Sequence, residues 1–241
     1  MRYIKTVLLK ISSLINRNKA SKIVFYHDLF SDVRYTDMGT DINLFLKHLS
    51  IIRSYGYDIV TNITQKEHQI KICLDDGFRG IWDTQKILLE NNIRPTIFIA
   101  VDLIGKEGYL NKSEILKLQE KGFIFQSHGW SHNNLTNFHG SALEKEIRGS
   151  KEYLTDMLNK PVDEICFPIG YFSKEIYDEC IKSGYKTMYS SIPGNFYDKI
   201  IYDGVKTRNL IQYYTSTEVK YVLNGALEPF KLRYINRQFI K

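Results

Sequence analysis

Asp75-Asp76-Gly77 stands at the end of the apolar run Ile70-Lys71-Ile72-Cys73-Leu74, and Ser127-His128-Gly129-Trp130-Ser131-His132 follows the run Gly122-Phe123-Ile124-Phe125-Gln126. A short apolar run reads as a buried strand, so each motif lies where a strand delivers polar side chains to its own tip. Two imidazoles four residues apart, with a carboxylate, form a donor set for a divalent ion such as zinc and leave positions for water and substrate. That chemistry is hydrolytic: the ion acidifies water and polarises a carbonyl, and a second adjacent carboxylate accepts the proton. Taken alone, Asp75-Asp76 would be a solvated turn before a helix; the histidine pair is what makes it a site.

The surrounding sequence alternates between strand and helix patterns. Strands are expected near 22–26, 57–60, 70–74, 95–100, 123–127, 164–167, 186–190 and 205–209, and helices near 41–55, 79–91, 112–121, 141–158, 173–183 and 216–224. Alternation implies a mostly parallel sheet. Seven or eight such units, without a glycine-rich dinucleotide turn, predict an α/β fold, a distorted (β/α)7-8 barrel in a single domain. Function in barrels gathers at the carboxyl ends of strands, which is where His27, Asp75-Asp76 and His128 fall.

At these residues the chain resembles the polysaccharide deacetylases, carbohydrate esterase family 4. Leu74-Asp75-Asp76-Gly77 is similar to the family's Asp-Asp-Gly motif, and Ser127 to His132 to its serine followed by two histidines four apart. Leu88 to Ile99 is similar to its helix-to-strand passage, and the order of elements matches from about 22 to 210. The resemblance implies removal of an N-acetyl group from an amino sugar in a surface polysaccharide or its precursor. It implies Asp75 as general base, and Asp76, His128 and His132 as ligands of a divalent metal, with Zn2+ expected.

Two features depart from the family. No histidine follows His139, whereas Phe25-Tyr26-His27-Asp28 resembles the early Tyr-His segment of a circularly permuted branch, which implies His27 as general acid. The third motif, ordinarily Arg-Pro-Pro-Tyr-Gly, is replaced by Cys166-Phe167-Pro168-Ile169-Gly170. The resemblance then leaves the Ile169 N–H as the oxyanion donor and removes the arginine that orients the base. Arg208 is a candidate to replace it at the substrate site, beside an ordinary structural role, and Tyr171 is a candidate for the sugar subsite. His48, His68 and His139 read as surface residues.

Charge and cysteines bound the remaining possibilities. The net charge is +6, but residues 1–22 carry six basic side chains and residues 229–241 four, with no acid in either stretch. The body between is acidic on balance, which argues against a nucleic-acid groove. The basic ends instead suit weak attraction to an anionic membrane face or to a phosphorylated carrier. The expected layout is a basic amphipathic segment at 1–21, a deacetylase-like barrel at 22–225 and a basic tail at 226–241. Ile4, Val7, Leu8, Ile11, Leu14 and Ile15 repeat at helical spacing, giving a helix packed on the body or lying on a membrane. Three widely spaced cysteines read as buried thiols. The expected partner is an N-acetylated glycan or carrier-linked sugar, and the expected compartment the cytoplasm, with association to the cytoplasmic membrane face left open. Two other classes remain: a carbohydrate-binding pseudoenzyme of the same fold, and a membrane or assembly scaffold.

Overall fold

The computed structural model of the protein describes residues 2–240. Lys241 and the Arg2 side chain, both counted among the basic ends, lie outside the described residues. The chain runs α1 (Arg2–Ile15), β1 (Lys22–Tyr26), β2 (Asp28–Phe30), β3 (Gly39–Asp41), α2 (Ile42–Ser54), β4 (Asp58–Ile59) and β5 (Gln69–Leu74). It continues through α3 (Gly80–Glu90), β6 (Thr96–Ile99), α4 (Lys112–Glu120), β7 (Ile124–Ser127) and α5 (Gly140–Glu144). A π-helical turn at Lys145–Gly149 leads without a break into α6 (Ser150–Leu158), then β8 (Glu164–Cys166) and β9 (Phe172–Ser173). The last elements are α7 (Lys174–Lys182), β10 (Thr187–Tyr189), β11 (Val205–Lys206), β12 (Asn209–Leu210), α8 (Ser216–Leu223), α9 (Lys231–Gln238) and β13 (Phe239–Ile240).

Every residue of β1, β5 and β6 is buried, as expected of parallel strands covered on both faces. They belong to a wholly parallel sheet ordered β11-β10-β8-β7-β6-β5-β1-β12, with β4 beside the first half of β5. Its two edge strands, β11 and β12, are consecutive in the chain and separated only by Thr207 and Arg208. Two residues reach from one edge to the other only if the sheet curls until its edges meet. The fold is therefore a single-domain α/β barrel, distorted and open along a seam at Thr207-Arg208. The expected single strand at 205–209 is broken there, because the same segment has to leave β10 and join β1.

Helices pack their apolar stripes on this sheet. Ile42, Phe45, Leu49 and Ile52 bury one face of α2, each contributing roughly 1.5–3 kcal/mol relative to exposure. Asp41 starts that helix by accepting the Asn43 and Leu44 N–H groups, and capping boxes start α4 (Asn111, Glu114) and α8 (Thr215, Glu218). His48, read from sequence as a surface residue, is fully buried on the same stripe, with its ring nitrogens at the Tyr26 hydroxyl and the Tyr214 carbonyl. His68 and His139 are exposed and all three cysteines are buried. Residues after 225 are folded as well: β13 pairs with β9, Phe239 opposite Phe172. No helix among the described residues is long and apolar enough to cross a membrane.

Candidate active site

The β1–β5 ladder carries one step beyond its strands, with the Asp75 N–H donating to the Tyr26 carbonyl at 3.0 Å. The chain then turns sharply, Asp76 and Gly77 both taking left-handed φ values of 73° and 79°. This reversal aims the two adjacent carboxylates differently. Asp76 faces the loop after β7, and Asp75 faces the barrel seam.

His128 is set by the His128 N–H bonding to the Ile99 carbonyl at 2.8 Å and by its Nδ1, 2.8 Å from the Cys166 carbonyl. A carbonyl only accepts, so Nδ1 carries the proton and Nε2 presents a lone pair. That Nε2 lies 3.2 Å from Asp76 Oδ1, and His132 Nε2 lies 2.8 Å from the same oxygen. The turn between the histidines is held by Glu146, whose Oε2 accepts from the Trp130 and Ser131 N–H groups at 3.1 and 3.0 Å. Glu146 sits on the π-helical turn, a local widening common beside functional sites.

Asp76, His128 and His132 fit a divalent metal. One ligand atom from each lies within 4.8 Å of the others, and Asp76 Oδ1 is buried without an aligned hydrogen-bond partner among the described residues. A carboxylate and two neutral imidazoles are a donor set suited to zinc. Burial opposes ionisation of Asp76, but without an ion between them the two adjacent imidazoles, when they carry a proton on Nε2, donate to Asp76 and hold its carboxyl well below the usual range.

Asp75 is buried and gripped by Arg208, with Nη1 to Oδ1 at 2.7 Å and Nη2 to Oδ2 at 2.8 Å. Arg208 Nε donates to the Ser190 carbonyl, Nη2 lies 2.9 Å from Cys166 Sγ, and its Cζ lies over the Phe25 ring, 4.1 Å from the ring centre. Burial would raise the Asp75 carboxyl, yet the guanidinium keeps it below its ordinary value. Cys166, where the third motif ordinarily has arginine, thus leaves room for an arginine arriving from the seam.

His27 stands on the cleft wall after β1. Gln212 fixes it, its Oε1 accepting from His27 Nδ1 at 2.6 Å and from the His27 N–H at 3.1 Å. An amide oxygen only accepts, so Nδ1 is again the protonated nitrogen and Nε2 is the one available for proton transfer. Asp75, Asp76, His27, His128, His132, Ile169 and Arg208 all line one cleft of about 550 Å3. Ile169 takes φ 62°, ψ −7°, a left-handed conformation that costs a β-branched residue energy. Tyr171 does not line this cleft; it interacts with Arg237. Tyr213, Tyr214 and Tyr234 give the cleft an aromatic wall instead. Sequence reading did not single out Gln212, Glu146 or these tyrosines, since none belongs to a motif.

The structure is a distorted parallel α/β barrel that gathers an Asp-His-His set at the carboxyl ends of its strands. A family profile described as polysaccharide deacetylase matches residues 62–188, more than half of the chain, and the protein belongs to that family. A polysaccharide deacetylase from Bacillus cereus, BC0361, is similar at 24% identity and TM-score 0.74, covering 85% of this chain and 69% of that one. The Streptococcus pyogenes deacetylase PplD is similar at 18% identity and TM-score 0.73, covering 85% and 97%. IcaB from Ammonifex degensii is similar at 12% identity and TM-score 0.72, covering 87% and 99%. At these identities the three structures speak to the fold. A search of curated proteins returned no match.

Proposed function

We propose that the protein is a metal-dependent hydrolase that removes the N-acetyl group from an amino sugar of a surface polysaccharide or its precursor. The observation that carries this reading is the division of labour between adjacent carboxylates. Asp76 joins His128 and His132 in a metal donor set, while Asp75 is held apart by Arg208. Family membership and the acetate bound to the Streptococcus pyogenes relative agree with it.

A divalent ion held by Asp76, His128 and His132, most simply Zn2+, would supply an acidified water and polarisation of the acyl oxygen. Asp75 accepts the water's proton as the oxygen attacks the carbonyl carbon. Its pairing with Arg208 keeps it ionised and fixed in orientation. The Ile169 N–H, on the exposed turn after β8, is the donor offered to the developing oxyanion. As the tetrahedral intermediate collapses, the C–N bond breaks and the imidazolium form of His27, which carries a proton on Nε2 as well as on Nδ1, gives the Nε2 proton to the departing amine, leaving acetate and a free amino sugar.

The test is acetate release by zinc-loaded protein from N-acetylated sugars in free, nucleotide-linked and lipid-linked forms. Asp75→Asn should abolish release while metal content is kept. Equal activity in that variant would remove Asp75 as base. Silence of the wild type across the panel, with metal bound, would favour a carbohydrate-binding protein without turnover.

A further inference from the structure

Helix α1 is packed the wrong way round for a helix of a soluble body. Its inward side is mostly polar: Thr6 donates to Glu218 at 2.9 Å, Ser12 to the Ala226 carbonyl at 2.8 Å, and Ser13 is buried, with Leu9 the one large apolar side chain beneath among the described residues. Its outward side carries Ile4, Val7, Leu8, Ile11, Leu14 and Ile15, between 37 and 76% exposed. At 100° per residue these six fall within one stripe about a third of the helix circumference wide. An amphipathic helix ordinarily buries that stripe; here hydrogen bonds to α8 and the loop after it hold the stripe in solvent.

The surroundings say what covers it. Lys5 and Lys10 flank the stripe on opposite sides, and on the neighbouring α9 the exposed Leu232 is followed by the exposed Arg233 and Arg237. Ile4, Leu8 and Phe230, with Lys5, Arg233 and Arg237, line a groove of about 440 Å3 between the two helices. An apolar stripe bordered by cations on both flanks complements the acyl boundary and phosphate layer of an anionic bilayer. Exposed acids capable of pairing with a second copy are missing from α1 and α9, whose sequences contain no Asp or Glu.

We propose that the α1–α9 face is a bilayer-docking surface that seats the protein on anionic lipid, the stripe of α1 entering the headgroup boundary. Lys5, Tyr214, Leu227 and Tyr234 line both the groove and the active-site cleft. Docking therefore sets the mouth of the cleft beside the lipid headgroups, which, on the deacetylase reading proposed above, is where a membrane-held glycan would be presented.

The experiment is cosedimentation of the full chain with phosphatidylcholine vesicles and with vesicles of equal phosphatidylcholine and phosphatidylglycerol. Binding to the anionic vesicles is expected, weakened by added salt, and Leu8→Ser combined with Ile11→Ser should reduce it about ten-fold or more. Both positions are exposed, so an unchanged melting temperature separates loss of docking from loss of folding. Ile11→Trp adds a reporter whose emission should shift to the blue on the same vesicles. Failure to cosediment, or binding indifferent to the double substitution, would overturn the proposal. So would a concentration-dependent dimer abolished by that substitution, which would give the stripe to a second copy. None of these readouts uses turnover, so they stand apart from the deacetylase reading.

Discussion

Arg208 reaches Asp75 across the seam of the barrel, its two terminal nitrogens lying 2.7 and 2.8 Å from the two carboxylate oxygens. The residue that holds Asp75 therefore also sits where the sheet closes, between β11 and β12. Replacing Arg208 with Lys keeps a charge but loses the planar fork. Turnover of Arg208→Lys should fall roughly 10–100-fold, as expected for a misoriented reacting group. The acid limb of its pH–rate profile should move to higher pH as the Asp75 carboxyl relaxes upward. Arg208→Met leaves a buried carboxylate unpaired and should cost about 3–5 kcal/mol in a denaturant melt. An unchanged acid limb in the Lys variant would show that the pair is structural only.

The difference between what sequence reading reached and what it missed is one of range. Asp76, His128 and His132 were legible because Asp76 and His128 lie at the tips of apolar runs and His132 follows His128 at a spacing of four. Arg208 could only be raised as a candidate, since its partner is 133 residues away and the seam that joins them is a property of the curled sheet. Gln212 and Glu146 act through single acceptor oxygens on loop N–H groups and a ring nitrogen, which leaves no pattern to read. His48 was misread for the opposite reason. It lies at the right spacing from Phe45 and Ile52 for the buried stripe, and its polarity hid a burial that Tyr26 and Tyr214 make affordable.

Gln212 holds the His27 ring through a neutral amide oxygen, so a charge at that position should tune the acid. A carboxylate in Gln212→Glu favours the imidazolium, and the basic limb of the kcat/KM profile should move to higher pH. Gln212→Leu removes the acceptor and should lower kcat by about 10–100-fold, toward the loss seen on deleting an acid of this kind. A basic limb that stays in place in both variants would argue that His27 is not the acid.

Ile169, whose backbone N–H is the proposed oxyanion donor, holds a left-handed conformation that is costly for a β-branched residue. Glycine adopts that conformation without steric cost, and relief of about 1–2 kcal/mol corresponds to a melting point a few degrees higher. Ile169→Gly should therefore be more stable, less the entropy glycine adds to the unfolded chain, and should keep kcat within about three-fold because the N–H remains. A large loss of kcat with unchanged folding would assign the side chain, not the amide, to the reaction.

Zinc binding should be visible without any substrate. A ligand held by the folded state alone raises stability by about 2.7 kcal/mol at one hundred times its dissociation constant. Stripping with a chelator should lower the melting temperature, zinc should restore it, and His128→Gln should abolish the restoration. The same response in His128→Gln would place the ion elsewhere.

Asp28, next to the proposed acid, is fully buried, and neither carboxylate oxygen has an aligned hydrogen-bond partner among the described residues. Gly80 faces it closely: a Cβ there would lie 2.4 Å from Asp28 Oδ1, so the glycine is what makes room for the carboxyl. Burial pushes the Asp28 pKa up to about 8, with the Asp83 and Asp76 charges adding and the nearby Leu29 and Gly80 amides only partly offsetting. The folded protein thus holds a proton that the unfolded chain releases near pH 4. Stability from this group is complete below about pH 4 and is lost as pH rises to about 8, at up to ~1.4 kcal/mol per pH unit. Asp28→Asn carries no such proton, so its melting temperature should match the wild type near pH 4 and exceed it by a margin that widens to several degrees at pH 8. Thermal melts of both proteins across that range decide the matter, and parallel curves would mean that Asp28 is ionised in the folded state.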